Sequence, residues 1–478
     1  MRSEWNPARL TTESRIAPAV ALTILALFAA ATLYVSLHHE PWRDEADSWL
    51  VVRDASFAGI LTWTRDAGTP ALWYALLKPL VWAGLPFEAQ SILHLVLAWA
   101  AAAVFLFRSP FTRVTQVLVL GSYYFAYEYA VIARSYVLTI LLGFVLAAWY
   151  PCRRERPIRF AAAIALLVNA NVHGGIIAAI FGLLFLLDRP RSRRSLAAVA
   201  IMLVGAIAAW AQLRTATDTA FPHVVRVIRP MAMYEALASA FFPGIPMTIG
   251  IAGAVVLLAL LAATLRRRTD ALLLLGLSTG LLGILYVLVW FGGYRHAGLL
   301  FVCAILALWV AGEIPPERLS ATTAAFFHLA LIVSVVFSLR MAAADVKMAF
   351  SGAREMGTFI QTNHLDRFEI AAHDIHPAEA VLPWVPNKQL WYAAIGRYGT
   401  YMRWNAEEEI GHRAPYPVAI ARAVQHFAPQ GRPWLLLLNA PLRDPEASGF
   451  RLIHRTGGVY RHLDECYWLY EWVPGSMR

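Results

Sequence analysis

Charge is scarce in this chain: only 15% of its 478 residues are Asp, Glu, Lys or Arg, against 59% that are apolar. A surface so poor in charge cannot be solvated over most of its length, which excludes an ordinary soluble globular protein and implies lipid around much of it. Cysteine is nearly absent. Cys152, Cys303 and Cys466 lie far apart, the first two at or within apolar runs, so neither a disulfide framework nor a thiolate metal site is expected. No G-x-x-x-x-G-K-[ST] loop occurs, so Asp44-Glu45-Ala46-Asp47, which spells the label of a helicase family, has no phosphate cradle to accompany it. Internal repeats are missing as well, and repeats are common in secondary transporters. The formal net charge is +10, but the arginines gather in short loops between apolar runs, where they mark topology rather than a nucleic-acid footprint.

What is present is a series of apolar runs near the length of about 20 residues that a membrane-crossing helix needs. The candidates are 16–37, 87–107, 114–132, 135–150, 158–172, 174–188, 195–213, 247–265, 271–291, 297–312 and 320–339. The first follows a polar, Arg-bearing start and has no small-residue cleavage site before His38-His39-Glu40, so it reads as a retained span. The pair 158–172 and 174–188 is also compatible with one long helix. The segment 70–83 contains Pro70, Lys78 and Pro79 and suits a helix lying in the interface. Starting from a cytoplasmic N-terminus, eleven crossings put every strong basic cluster on one side: Arg108 and Arg113, then 153–159, then 189–194, then 266–268. The other side receives the loop 38–86, the turn at Arg134, His173, the loop 214–246, the turn 292–296 and everything after Arg340.

Polarity switches at Arg340. Residues 340–478 read as a mixed α/β domain, with helices at 343–362 and 416–427 and strands at 368–373, 434–438, 450–454 and 467–473. The expected fold is therefore mainly α, a polytopic transmembrane helix bundle of about eleven spans (1–339) carrying a C-terminal mixed α/β domain (340–478) on the outer face.

Several residues on that outer side invite chemistry. Asp44, Glu45 and Asp47 follow the first span beside aromatic residues; the bland alternative is a solvated acidic turn. Arg134 sits on an outer turn next to Tyr136, where a snorkelling side chain is the ordinary reading. Glu128 lies about a turn inside the bilayer boundary and needs a partner, the nearest in sequence being Arg134. His173 and Arg295-His296 occupy further outer turns, where a lone His is as readily structural. Counting arginines elsewhere placed all of these on one face, and a carboxylate opposite two cations and an imidazole suits a reaction on a phosphate-bearing lipid.

In this order and sidedness the chain resembles the GT-C superfamily of membrane glycosyltransferases, in particular the branch of protein O-mannosyltransferases, the lipid A aminoarabinose transferase and related bacterial lipopolysaccharide glycosyltransferases. The matching features are a first span followed at once by Asp44-Glu45, the segment Thr69-Pro70-Ala71-Leu72-Trp73-Tyr74, Ala133-Arg134-Ser135-Tyr136, the His173-Gly174 turn, Arg295 and the outer α/β domain. The family usually has a His-Pro-Pro-like sequence where this chain has Gly68-Thr69-Pro70. The resemblance implies a multi-pass protein of the bacterial cytoplasmic (inner) membrane that transfers a sugar, with inversion, from a polyprenyl-phosphate donor to a hydroxyl of a lipid, glycan or protein. Asp44 matches the catalytic base. Glu45 would assist it; Asp47, Arg134, Tyr136, His173, Arg295 and Glu128 would bind substrate. A divalent cation (Mg or Mn) on Asp44, Glu45 and Asp47 is used in some branches and not in others. A multi-pass transporter or flippase for a lipid-linked or anionic substrate is the alternative.

Overall fold

The computed structural model describes residues 10–11, 17–214, 228–312, 321–412 and 414–473. From the N-terminus the chain runs through α1 (Pro18–His38) into a first loop that folds as three short helices, α2 (Arg43–Asp54), α3 (Phe57–Ala67) and α4 (Leu72–Trp82). It continues through α5 (Glu88–Arg108), α6 (Arg113–Gly121), α7 (Tyr136–Trp149), α8 (Pro157–Val168), α9 (Val172–Leu187) and α10 (Arg193–Leu213). Helices Met231–Phe241, Met247–Leu265, Thr269–Leu288, Tyr294–Ala311 and Ala321–Lys347 complete the bundle. Seven of these are long and apolar enough to cross a membrane: α1, α5, α10, Met247–Leu265, Thr269–Leu288, Tyr294–Ala311 and Ala321–Lys347. The apolar helices α7, α8 and α9 are shorter. Tyr294–Ala311 is the centre of the bundle, buried without interruption from His296 to Trp309.

Local chemistry explains the breaks. The 158–188 region is two helices, because Asn171 caps α9 by accepting from Gly174 N at 2.8 Å while Asn169 Nδ2 donates to the Ala165 and Gly205 carbonyls. The 114–132 segment is not one helix. α6 ends at Gly121 and a π-turn, Tyr124–Glu128, follows, closed by Tyr129 N donating to Tyr124 O at 2.9 Å. The aromatic rings of that turn press on Gly298, where an added Cβ would collide with the Tyr124 ring. In the first loop Lys78 is not a free interfacial cation: its Nζ donates to Val52 O (2.6 Å) and Ala55 O (2.9 Å), closing the C-terminus of α2. The 214–246 loop contains the helix Met231–Phe241, set off by Pro230 before it and Pro243-Gly244 after it; residues 215–227 lie outside the described residues.

The apolar helix at the start of the tail does not stop at Arg340. It continues to Lys347, and a second helix, Ala353–Thr362, follows. The tail then forms one six-stranded sheet from β1 (Glu369–Ala372), β2 (Leu390–Tyr392), β3 (Arg397–Gly399), β4 (Trp434–Leu438), β5 (Phe450–Arg455) and β6 (Trp468–Trp472), in the order β3-β2-β1-β4-β6-β5. β1 runs parallel to β2 and β4; the other pairs are antiparallel. The helix Tyr416–Phe427 packs Ala419, Ala423 and Phe427 on one face of the sheet, against Trp391, Trp434 and Leu436. Ala353–Thr362 packs with α2 residues Ala46, Trp49 and Leu50 in the core of the other face.

Candidate functional site

α2 starts right after Trp42, and its first turn carries Asp44 and Glu45, where the exposed amides of a helix start favour negative charge. Glu45 is fully buried and its carboxylate is satisfied on both oxygens. Oε2 accepts from His39 Nε2 (3.0 Å) and Trp42 N (3.3 Å), and Oε1 accepts from Ala133 N (2.7 Å). Gln90 Nε2 of α5 donates to the Glu45 carbonyl at 2.9 Å. Glu45 therefore ties the end of α1, the start of α2 and the 133–135 turn together, and that tie sets Arg134 beside Asp44.

His39 extends the tie. Its Nδ1 lies 2.8 Å from Asp345 Oδ2, which also accepts from Tyr127 Oη at 3.0 Å. Burial opposes a charged imidazole, but the Asp345 and Glu45 carboxylates outweigh it and push the His39 pKa up to about 10.

Asp44 meets two guanidiniums. Arg295 Nη1, from the first turn of Tyr294–Ala311, is 2.5 Å from Asp44 Oδ2, and Arg134 Nη1 is 3.5 Å from the same oxygen while also donating to the Asp44 carbonyl. Burial alone would raise the Asp44 carboxyl; Arg295, Arg134, Arg43 and His376 outweigh it and hold it well below the usual carboxylate range. Arg295 is not used up by this pairing: among the described residues its buried Nε has no hydrogen-bond partner. Both arginine side chains and Asp44 keep some exposure, 21%, 22% and 15% respectively, so an incoming ligand can reach them.

Asp47, one turn further along α2, differs. It is 7% exposed, its Oδ1 has no hydrogen-bond partner, and burial, with the carboxylates of Asp44 and Glu408 adding to it, raises its pKa well above the ordinary value despite Arg134.

Beside the arginines lies an aromatic and imidazole cluster. His173 and His296 have ring centroids 4.5 Å apart, with Tyr136 5.9 Å from each. His296 Nδ1 accepts from Gly292 N at 2.7 Å, so its Nε2 carries the proton it donates to Tyr136 Oη at 2.8 Å. His173 Nε2 is buried without a partner. Glu128 stands apart from Arg134: it accepts from Tyr123 Oη and faces Arg461 Nη2 of the tail at 3.6 Å, which corrects the expected pairing. Sequence neighbours were a poor guide because the π-turn directs Glu128 toward the tail.

The tail closes over this edge with residues that carry no motif. His462 stacks on Trp42 with centroids 3.9 Å apart, Arg295 lies over the same indole at 5.2 Å, and Arg43 pairs with Asp464 and approaches Glu465 at 3.8 Å. Trp63 Nε1 donates to Met402 O at 2.7 Å. Asp44, Arg134, Arg295, Tyr136, His173 and Asp47 are thus brought to one region; Glu45 serves as its brace and Glu128 as an anchor for the tail. The three first-loop carboxyls do not converge on a common point, and among the described residues no group of three His, Cys, Asp or Glu side chains is set to hold a metal ion. Compared with protein-family models and with curated proteins, the chain matches none.

Proposed function

We propose that the protein is a membrane glycosyltransferase of the GT-C type, moving a sugar from a polyprenyl-phosphate donor to a hydroxyl of a lipid, glycan or protein acceptor on the outer face, with inversion at the anomeric carbon. The observation that carries this reading is Asp44 seated between Arg134 and Arg295, three side chains from three distant segments, under a cover supplied by the tail. Two guanidiniums at one point, each partly exposed, suit a phosphate, and planar forks fit its oxygens.

In this scheme the donor phosphate draws Arg134 and Arg295 away from Asp44. Released from them, the Asp44 carboxylate gains proton affinity and takes the proton of the acceptor hydroxyl. The acceptor oxygen attacks the anomeric carbon from the face opposite the phosphate, the bond from that carbon to the phosphate oxygen breaks, and the phosphomonoester leaves on the arginines. A phosphate leaving group needs no strong acid, so one ionised carboxylate suffices. The metal expectation finds no convergent donor set on Asp44, Glu45 and Asp47, and no step is routed through a metal.

Sidedness supports the outer placement. The turns at 133–135 and 169–171 and the end of α10 meet at the Asp44 end: Asn171 Nδ2 donates to Thr139 Oγ1 (2.8 Å), and Gln212 Oε1 accepts from Ala71 N (2.7 Å). The basic clusters sit at the far ends of the same helices, where Arg153 and Arg154 pair with Asp188. Thr112 bonds to Leu10 near the N-terminus and Arg134 returns to Asp44, which supports reading segment 113–132 as a crossing despite its π-turn, within the proposed topology of eleven crossings and a cytoplasmic N-terminus. α7 and α8, at 14 and 12 residues, span only about 21 and 18 Å. That is less than the roughly 30 Å hydrocarbon core, so the turn carrying Arg134 sits below headgroup level unless the bilayer thins around it.

Mass spectrometry of lipid extracted from the purified protein tests the reading. Polyprenyl phosphate should accompany the parent and be lost from the Arg134→Gln/Arg295→Gln double variant. Equal recovery from both would return the arginines to snorkelling roles, and retained donor with no sugar transfer would favour a flippase.

A further inference from the structure

The three first-loop carboxyls are in three different states of satisfaction. Glu45 has both oxygens filled by donors and Asp44 is ion-paired, but among the described residues no cation pairs with Asp47 and its buried Oδ1 has no hydrogen-bond partner. A carboxylate buried and unpaired is among the costliest groups a protein can hold, and such a group escapes the cost by keeping its proton. Asp47 is three residues beyond Asp44 on the same helix, so the two share a face and feel each other directly. Most of what surrounds Asp47 adds to the pressure: Glu408, Glu379 and Tyr401 come from the tail and Tyr74 from α4, while among the described residues Arg134, already committed to Asp44, is the cation that opposes them.

We propose that Asp44 and Asp47 form a carboxyl pair that carries one negative charge between them, with Asp47 the neutral member, so that Arg134 and Arg295 keep a net positive charge for a phosphodiester. This rests on the donor reading above and adds a charge rule to it. With Asp47 protonated, two guanidiniums face one carboxylate; with Asp47 ionised, the charges cancel and the phosphate loses its attraction. Asp47 is then a positioning residue that acts through the arginines, and its burial under tail residues Glu379 and Glu408 makes donor affinity depend on the tail being seated.

The test is equilibrium binding of methyl farnesyl phosphate to the full-length protein from about pH 5 to about pH 10, a range in which the single charge of this phosphodiester does not titrate. The parent should bind with constant affinity at the acid end and weaken by about tenfold or more as Asp47 ionises, whereas Asp47→Asn should bind as well as the parent at low pH and stay flat throughout. Glu379→Gln, which removes one of the carboxyls pressing on Asp47, should keep the fall in affinity and move it to lower pH. A second measurement is the infrared carbonyl stretch of a protonated carboxylic acid: the parent should show a band that Asp47→Asn lacks, and that band should fade over the same pH range as binding. Binding by the parent that is independent of pH, or a response unchanged in Asp47→Asn, overturns the pairing while leaving the donor site standing. Absence of binding by the parent at every pH overturns both.

Discussion

Asp44→Asn separates the two jobs the geometry gives one carboxylate. The amide keeps the shape of the side chain but cannot take the acceptor's proton, so turnover should fall by about 10²–10⁴-fold, the usual worth of general-base assistance. Donor binding should move the other way. In the resting site Arg295 Nη1 is 2.5 Å and Arg134 Nη1 3.5 Å from Asp44 Oδ2, so a phosphate has to displace the carboxylate from both. Two unit charges 4 Å apart interact by about 4 kcal/mol at an effective dielectric of about 20, but most of that is returned by solvation of the freed groups, and a net of about 1 kcal/mol is expected. That corresponds to roughly fivefold tighter binding of a prenyl phosphodiester. Single-turnover transfer and titration calorimetry on purified Asp44→Asn measure the two quantities. Turnover within a few-fold of the parent would remove Asp44 as the base, and weaker donor binding would refute the picture of carboxylate and phosphate competing for the same arginines.

Glu45→Gln should destabilise the protein rather than merely slow it, by about 3 kcal/mol or more, since it turns an amide toward His39, Trp42 N and Ala133 N; an unchanged melting temperature would contradict the bracing role. The His39 bridge should contribute on the order of a few kcal/mol that is fully present below its unfolded value of 6.5 and is lost as pH rises through about 10, so thermal unfolding should show a downward slope at alkaline pH that disappears in His39→Gln. Cysteine labelling should report residue 400 outside and residue 155 inside, and the opposite result would overturn the sidedness of the site.

The helices were legible because apolar runs need nothing but composition to be seen, and the tail strands β1, β4 and β6 because each is a largely buried run of four or five residues; β5, half exposed, was marked by Phe450, Leu452 and Ile453 among polar neighbours. β2 and β3 escaped because three residues each carry no period. The π-turn escaped for a different reason: Tyr124–Glu128 remains as aromatic and apolar as a helix, and only the i to i+5 bond and the close approach to Gly298 distinguish it. Within the site, Asp44, Arg134 and Arg295 could be collected by sidedness alone, because charge in the loops fixes which turns share a face.

Roles within that collection were another matter. Asp44, Glu45 and Asp47 are chemically equivalent on paper, and each acquires its character from groups far away in sequence: Arg295 for Asp44, His39 and Ala133 for Glu45, the absence of a partner on Oδ1 for Asp47. The tail shows the same dependence. Arg461, His462 and Asp464 look like a polar surface loop, yet they pair respectively with Glu128, Trp42 and Arg43, so the cover over Asp44 is made from residues without any motif. Arg461 makes the point testable: its guanidinium reaches both Tyr123 Oη (3.3 Å) and the buried Glu128 (3.6 Å), joining the tail to the π-turn that precedes Arg134. Arg461→Met keeps the length of the side chain and strands Glu128 as an unpaired carboxylate, so the expected loss is about 3–5 kcal/mol of stability at that contact. Hydrogen exchange should then rise at 122–135 and 459–466 together, with transfer impaired although Asp44, Arg134 and Arg295 are untouched. Faster exchange confined to 459–466 would mean that the turn carrying Arg134 holds without the tail, and that the cover and the proposed phosphate site are independent structures.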